Sequence, residues 1–181
     1  MNRLASELIN RGVIVRQESA LVGRVQEVVI NPENGQFLGF IIREGFGKGR
    51  LKALAEKDVL GFNKQFILIP NYNTLGEIDE IVRIKNALDQ KIPIIKNKVY
   101  TISGVYLGKV VDFALDFSQA RLTRLYVESH SIKRFTNQLM INSACIVSIK
   151  KDKITVDDTC IKNTEKVAMK LASTEKDLVT N

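Results

Sequence analysis

The chain has 181 residues, of which 45% are apolar and 26% charged; that composition supplies a core and excludes a disordered polyelectrolyte. Twenty-seven Lys and Arg against twenty Asp and Glu leave a net charge of +7, which favours anionic partners. The excess is spread as +3 over residues 1–75, −1 over 76–92, +4 over 93–160 and +1 over 161–181, so no basic tail stands out.

In chain order, residues 12–16 read as a strand, 24–30 as a second, and Asn31-Pro32-Glu33-Asn34-Gly35 as the turn into a third over 36–43. Pro32 fixes φ early in that turn and Asn34-Gly35 supplies the positive φ it needs later. Period-two alternation puts Leu38, Phe40 and Ile42 on a core face, with Phe37, Gly39 and Ile41 opposite. The loop Gly45-Phe46-Gly47-Lys48-Gly49-Arg50 lacks the spacing and the Lys-Ser/Thr pair of a nucleotide-binding loop. Its Phe46 is expected to be exposed, and Lys48, Arg50 and Lys52 alternate so as to line one strand face. Over 77–88, Ile78, Ile81, Ile84, Ala87 and Leu88 recur at three- and four-residue spacing with acids first and bases later, which predicts a short amphipathic helix packed on the first unit. Residues 161–181 form a polar tail, with helical spacing at Val167, Leu171 and Leu178.

The sequence also repeats itself. Residues 22–31 match residues 107–116 at a shift of 85, with apolar, Gly, basic and acidic positions coinciding. Without a gap, that shift sets Val15 on Tyr100 and places Leu38, Phe40 and Ile42 against Thr123, Leu125 and Val127. Phe66-Ile67-Leu68-Ile69 aligns with Lys153-Ile154-Thr155-Val156 after a small insertion. A repeated run of short apolar strands divided by turns predicts a mainly β fold, organised as a first unit at 1–75, a linker with a short helix at 76–92, a second unit at 93–160 and the tail.

Leu21-Val22-Gly23-Arg24-Val25-Gln26-Glu27-Val28-Val29-Ile30, followed by Pro32-Glu33-Asn34-Gly35, resembles the PRC-barrel domain family. So does Tyr106-Leu107-Gly108-Lys109-Val110-Val111-Asp112-Phe113-Ala114-Leu115-Asp116, and Arg3-Leu4-Ala5-Ser6-Glu7-Leu8 resembles the usual lead-in. The resemblance covers residues 12–70 and 93–157; the second copy departs from it at Phe117-Ser118-Gln119-Ala120, where a Pro/Gly turn is expected. It implies two small PRC-type β-barrels in tandem. PRC barrels occur in the cytoplasmic H subunit of photosynthetic reaction centres and in the C-terminal domain of a ribosome maturation factor, so the resemblance implies contact with proteins rather than chemistry.

Nothing in the sequence assembles a catalytic centre. His130 is the only histidine and no nucleophile motif accompanies it; Cys145 and Cys160 lack metal-ligand spacing and read as reduced thiols. Glu27 and Asp112, equivalent in the repeat, are expected to bond backbone within their own units. No enzyme activity, cofactor or metal is expected. No run approaches the roughly 18–20 apolar residues that span a bilayer, so a cytoplasmic location is expected. The leading expectation is a scaffold that docks a protein partner through Phe37, Ile41, Arg124 and Tyr126. The alternative is an RNA- or ribosome-associated assembly factor, with Lys48, Arg50, Lys52, Lys133 and Arg134 as an anion-binding rim that Lys150, Lys151 and Lys153 extend; peripheral contact with a membrane surface is a third partner class.

Overall fold

A computed structural model describes residues 2–45, 47–63, 65–128 and 138–159. The chain is mainly β. Its first half runs β1 (Asn2–Leu4), α1 (Ala5–Leu8), β2 (Gly12–Val15), β3 (Ala20–Ile30), β4 (Phe37–Glu44), β5 (Leu51–Ala55), β6 (Gly61–Phe62), β7 (Phe66–Ile69) and β8 (Leu75–Gly76). Helix α2 (Val82–Asp89) follows, then β9 (Lys98–Thr101), β10 (Tyr106–Asp116), β11 (Arg121–Glu128), β12 (Gln138–Asn142), β13 (Ile146–Ile149) and β14 (Lys153–Val156). The tail expected over 161–181 lies outside the described residues. Among the described residues, no helix is long and apolar enough to cross a membrane.

Two sheets form, ordered β6-β7-β2-β3-β4-β5-β8 and β13-β14-β9-β10-β11-β12, and neither path returns on itself to close a barrel. Both are built on the same pairing: β2 runs antiparallel to β3 and parallel to β7, and β9 runs antiparallel to β10 and parallel to β14. Even the irregularities correspond. Bulges interrupt β3 between Val25 and Glu27 and β10 between Val110 and Asp112. The buried polar residues Arg11 and Asn97 act alike despite their different chemistry. Arg11 donates from Nε to the Glu7 carbonyl (3.1 Å) and from a terminal guanidinium nitrogen to the Asn63 carbonyl (2.6 Å). Asn97 donates from Nδ2 to the Pro93 carbonyl (3.0 Å) and to the Lys150 carbonyl (2.7 Å). Each so ties the chain four residues before it to the turn ahead of the parallel strand, satisfying backbone oxygens that burial would otherwise strand.

The gapless shift needs one correction. Tyr100 pairs with Tyr106 as Ile14, not Val15, pairs with Leu21, because the β9–β10 turn is one residue shorter than the β2–β3 turn. A second correction concerns the faces of β4. The register steps from Val29 opposite Gly39 to Ile30 opposite Phe37, and a bulge of this kind breaks the two-residue alternation. Phe37 therefore joins Phe40 and Ile42 in the main core, while Leu38 and Ile41 share the other face. Gly39 makes this turn of the strand feasible: its φ is +144° and an added Cβ would lie 2.1 Å from the Leu54 carbonyl oxygen.

The Leu38 and Ile41 face is not bare. Val29, Leu38, Ile41 and Ala53 are buried with Ile84 of α2, and Ile78, Ile81, Ala87 and Leu88 pack around them. The expected helix over 77–88 is in two pieces, a 3-10 turn at Ile78–Glu80 capped at its start by a Glu77/Glu80 capping box, and then α2. A Lys85–Asp89 ion pair of 2.6 Å one turn apart adds a small increment to α2.

The sheets share one core. The main apolar cluster runs from Leu8, Val13 and Phe40 to Val110, Leu125 and Val156. Phe37 meets Phe117 with ring centroids 5.1 Å apart, and Phe62 meets Phe117 at 4.2 Å. The two hairpin tips pair across this junction: Gln36 bridges Arg121, Phe37 N donates to the Ala120 carbonyl and Leu122 N to the Gly35 carbonyl, both at 2.8 Å. These bonds interchange at a shift of 85, the mark of a local two-fold. Gly35 and Ala120 both have positive φ, so the turn at 117–120 attains the required geometry without glycine. Strand β1 leaves the first sheet altogether and pairs with β10, Arg3 opposite Leu115.

Candidate functional site

The four residues expected to contact a partner separate into two pairs. Phe37 and Ile41 are buried, the first by the bulge and the aromatic cluster, the second by α2; neither offers a surface. Arg124 is exposed and Tyr126 half-buried on β11. In register, Asp112 of β10, Tyr126 and Met140 of β12 stand side by side, and direct cross-strand neighbours share a face. The matching row in the first sheet is Glu27, Ile41 and Ala53. Where α2 covers Ile41 and Ala53, Met140 is 55% exposed and nearby Val111 41% exposed. Arg124 stands beside Asn142 at one end of this strip, and Glu128 beside Gln138 at the other.

Asp112 joins the strip to a cleft of about 770 Å³ whose walls come from β3, β10, α1 and the segment after α2. Its apolar lining includes Ile9, Leu88, Ile92 and Phe113, and its polar groups include Ser6, Glu27, Lys91 and Asp112. Asp112 accepts from Ser6 Oγ (2.5 Å), from Ser6 N (3.2 Å) and from its neighbour's backbone at Phe113 N (2.8 Å). It thus bonds backbone as expected, but holds the N-terminal segment as well. Glu27, whose side chain is exposed overall, makes no hydrogen bond or ion pair with any described residue, and desolvation against the cleft wall raises its pKa from the ordinary carboxylate value. The cleft is not legible in the sequence; the equivalence of Glu27 and Asp112 is the one signal that points to it.

The basic rim is only partly assembled. Lys48 and Arg50 are exposed, but Lys52 Nζ lies 2.5 Å from Glu77 Oε1. The hydrogen bond between them raises the Lys52 pKa and lowers that of Glu77. This carboxylate comes from the segment that leads into α2, 25 residues away, so alternation along β5 gives no sign of it. Lys133, Arg134 and His130 lie outside the described residues, as does Phe46. Cys145, read as a reduced thiol, is disulfide-bonded; the sequence's other cysteine, Cys160, lies outside the described residues.

No curated protein matches the chain. A family model does, and it begins at β1 and runs through the first sheet into α2. That match over residues 2–86, together with the Gly23-Arg24-Val25 segment of β3, makes the first part of the chain a PRC-barrel domain.

Proposed function

We propose that the protein is a non-enzymatic scaffold built from two PRC-type units, the second spanning β9–β14, and that it docks a protein partner on the outer face of the second. The common pairing scheme of the two sheets supports the second unit. The observation that carries the docking reading is the unequal cover of two equivalent strand rows: Ile41 and Ala53 lie under α2, whereas their counterparts Tyr126 and Met140 have no covering helix among the described residues. The occupant is an amphipathic helix of the partner, because α2 demonstrates which element fits such a row: apolar residues inward, charges outward. Arg124 and Glu128 at the two ends of the strip would fix its direction through charge. The RNA-associated alternative draws less support, since Lys52 is held by Glu77.

The test places a photocrosslinking amino acid at Met140 in cells that make the protein. A single crosslinked protein whose yield falls at least tenfold with Arg124→Glu or Tyr126→Ser supports the reading. Crosslinks confined to residues 160–181 of the same chain, or none, would sink it.

A further inference from the structure

One end of the second sheet carries a surface that the first sheet lacks. Lys98 on β9 is flanked in register by Lys109 on β10 and Lys153 on β14, so three exposed lysines stand abreast on neighbouring strands. Like charges placed opposite each other oppose folding, and none of the three is ion-paired with a described residue; Glu128, opposite Lys109, makes no ion pair with it. Exposed Lys150 and Lys151 lie in the turn ahead of β14, which the Asn97 side chain holds against β9.

Farther along the same strands Tyr100 and Tyr106 pack with ring centroids 5.1 Å apart. Beyond them the β9–β10 turn ends in apolar side chains: Ile102 is 58% exposed, Val105 52% and Tyr106 40%. The turn is braced, since Ser103 Oγ donates to Asp158 Oδ1 at 2.5 Å. In the first sheet the matching row is Arg24, Gly12 and Phe66, and the matching turn is Arg16-Gln17-Glu18-Ser19. The architecture therefore requires neither the lysines nor the apolar tip.

We propose that this end of the second sheet docks on an anionic phospholipid surface. Ile102 and Val105 enter the acyl boundary, Tyr100 and Tyr106 sit among the headgroups, and Lys98, Lys109 and Lys153 meet the phosphates. At about 3.3 Å per residue, Tyr100 lies about 7 Å and Lys98 about 13 Å behind Ile102 along the strand. A headgroup layer is about 5–7 Å thick, so the lysine stems reach back to it. Exposed apolar side chains beside clustered lysines satisfy both terms of interfacial binding, buried apolar area and attraction to anionic lipid. A nucleic-acid strand would engage the lysines and the tyrosine rings but would leave Ile102 and Val105 in water. Asp157 and Asp158 border the tip and work against adsorption, and both are hydrogen-bonded within the chain.

The experiment is sedimentation of the full chain with vesicles of phosphatidylcholine and of equimolar phosphatidylcholine and phosphatidylglycerol, with oligouridylate binding measured in parallel. Binding to the anionic vesicles alone is expected. At about fivefold per lysine, the triple variant Lys98→Gln, Lys109→Gln, Lys153→Gln weakens it by roughly 100-fold. Ile102→Ser with Val105→Ser is expected to weaken vesicle binding by about tenfold or more and to leave any oligouridylate binding unchanged. All five positions are exposed or at the turn tip, and unchanged circular dichroism establishes that the variants fold. No vesicle binding, vesicle binding unaffected by either variant, or lysine-dependent binding of oligouridylate alone overturns the proposal. Arg124→Glu, which impairs partner docking, leaves vesicle affinity within twofold, so the two readings fail separately.

Discussion

Gly39 is the residue on which the first unit turns. Its φ of +144° and the Leu54 carbonyl 2.1 Å from a would-be Cβ mean that Gly39→Ala must shift either β4 or β5. A loss of about 3 kcal/mol or more is expected in urea unfolding, with Gly61→Ala, where an added Cβ meets nothing within 4 Å, as the near-neutral control. Glu27 acts in the opposite sense. Its pKa is raised by desolvation, so its charge disfavours the folded state above the ordinary carboxylate range, and protonation at lower pH removes that penalty. Glu27→Gln should therefore raise the thermal midpoint at pH 7, and the gain should vanish below about pH 4. An equal gain at both pH values would show that the carboxylate is not the cause.

At the scale of elements, α2 is held by what it covers. The helix has eight residues, too short to persist alone in water, and its stability comes from packing Ile84, Ala87 and Leu88 on β3 and β4. Ile84→Ala removes a fully buried side chain and is expected to cost about 2–4 kcal/mol. Hydrogen exchange should then accelerate first in residues 82–89 and along the strands they cover. Uniform acceleration over both sheets would instead place α2 within the common core. The spacing of Ile81, Ile84 and Leu88 made this helix legible from sequence, but the expected order of acids before bases is not realised in α2, whose first turn holds no acid and whose last turn holds no base. The break after Glu80 was not legible, because the Glu77/Glu80 box caps only the start of a separate 3-10 turn and lies inside a run that is periodic throughout.

For the whole molecule, the consequence of one core is one transition. Phe37, Phe62 and Phe117 join the sheets, and β1 crosses to β10. Residues 1–75 by themselves would lose the β1 pairing and expose the Phe37 face. Heating should unfold the described parts together, with calorimetric and van't Hoff enthalpies equal. Phe37→Ala, expected to cost about 3–5 kcal/mol, should lower that single midpoint without splitting it; two resolved transitions would mean that the units fold independently.

The sequence by itself determined the β class, the connecting helix and the resemblance at Gly23-Arg24-Val25, because each rests on local periodicity or on turn chemistry that neighbouring residues settle among themselves. Only the tertiary structure decided which face of each strand is available. Phe37 and Ile41 are both apolar and lie on a strand that reads as two-faced, yet a bulge took one inward and a helix forty residues later in the chain covered the other. Lys52 likewise is paired with Glu77, and Lys109, Lys98 and Lys153 met across β10, β9 and β14. Bulges, long-range cover and cross-strand neighbours depend on contacts between residues far apart in sequence, and a single chain read along its length carries no record of them.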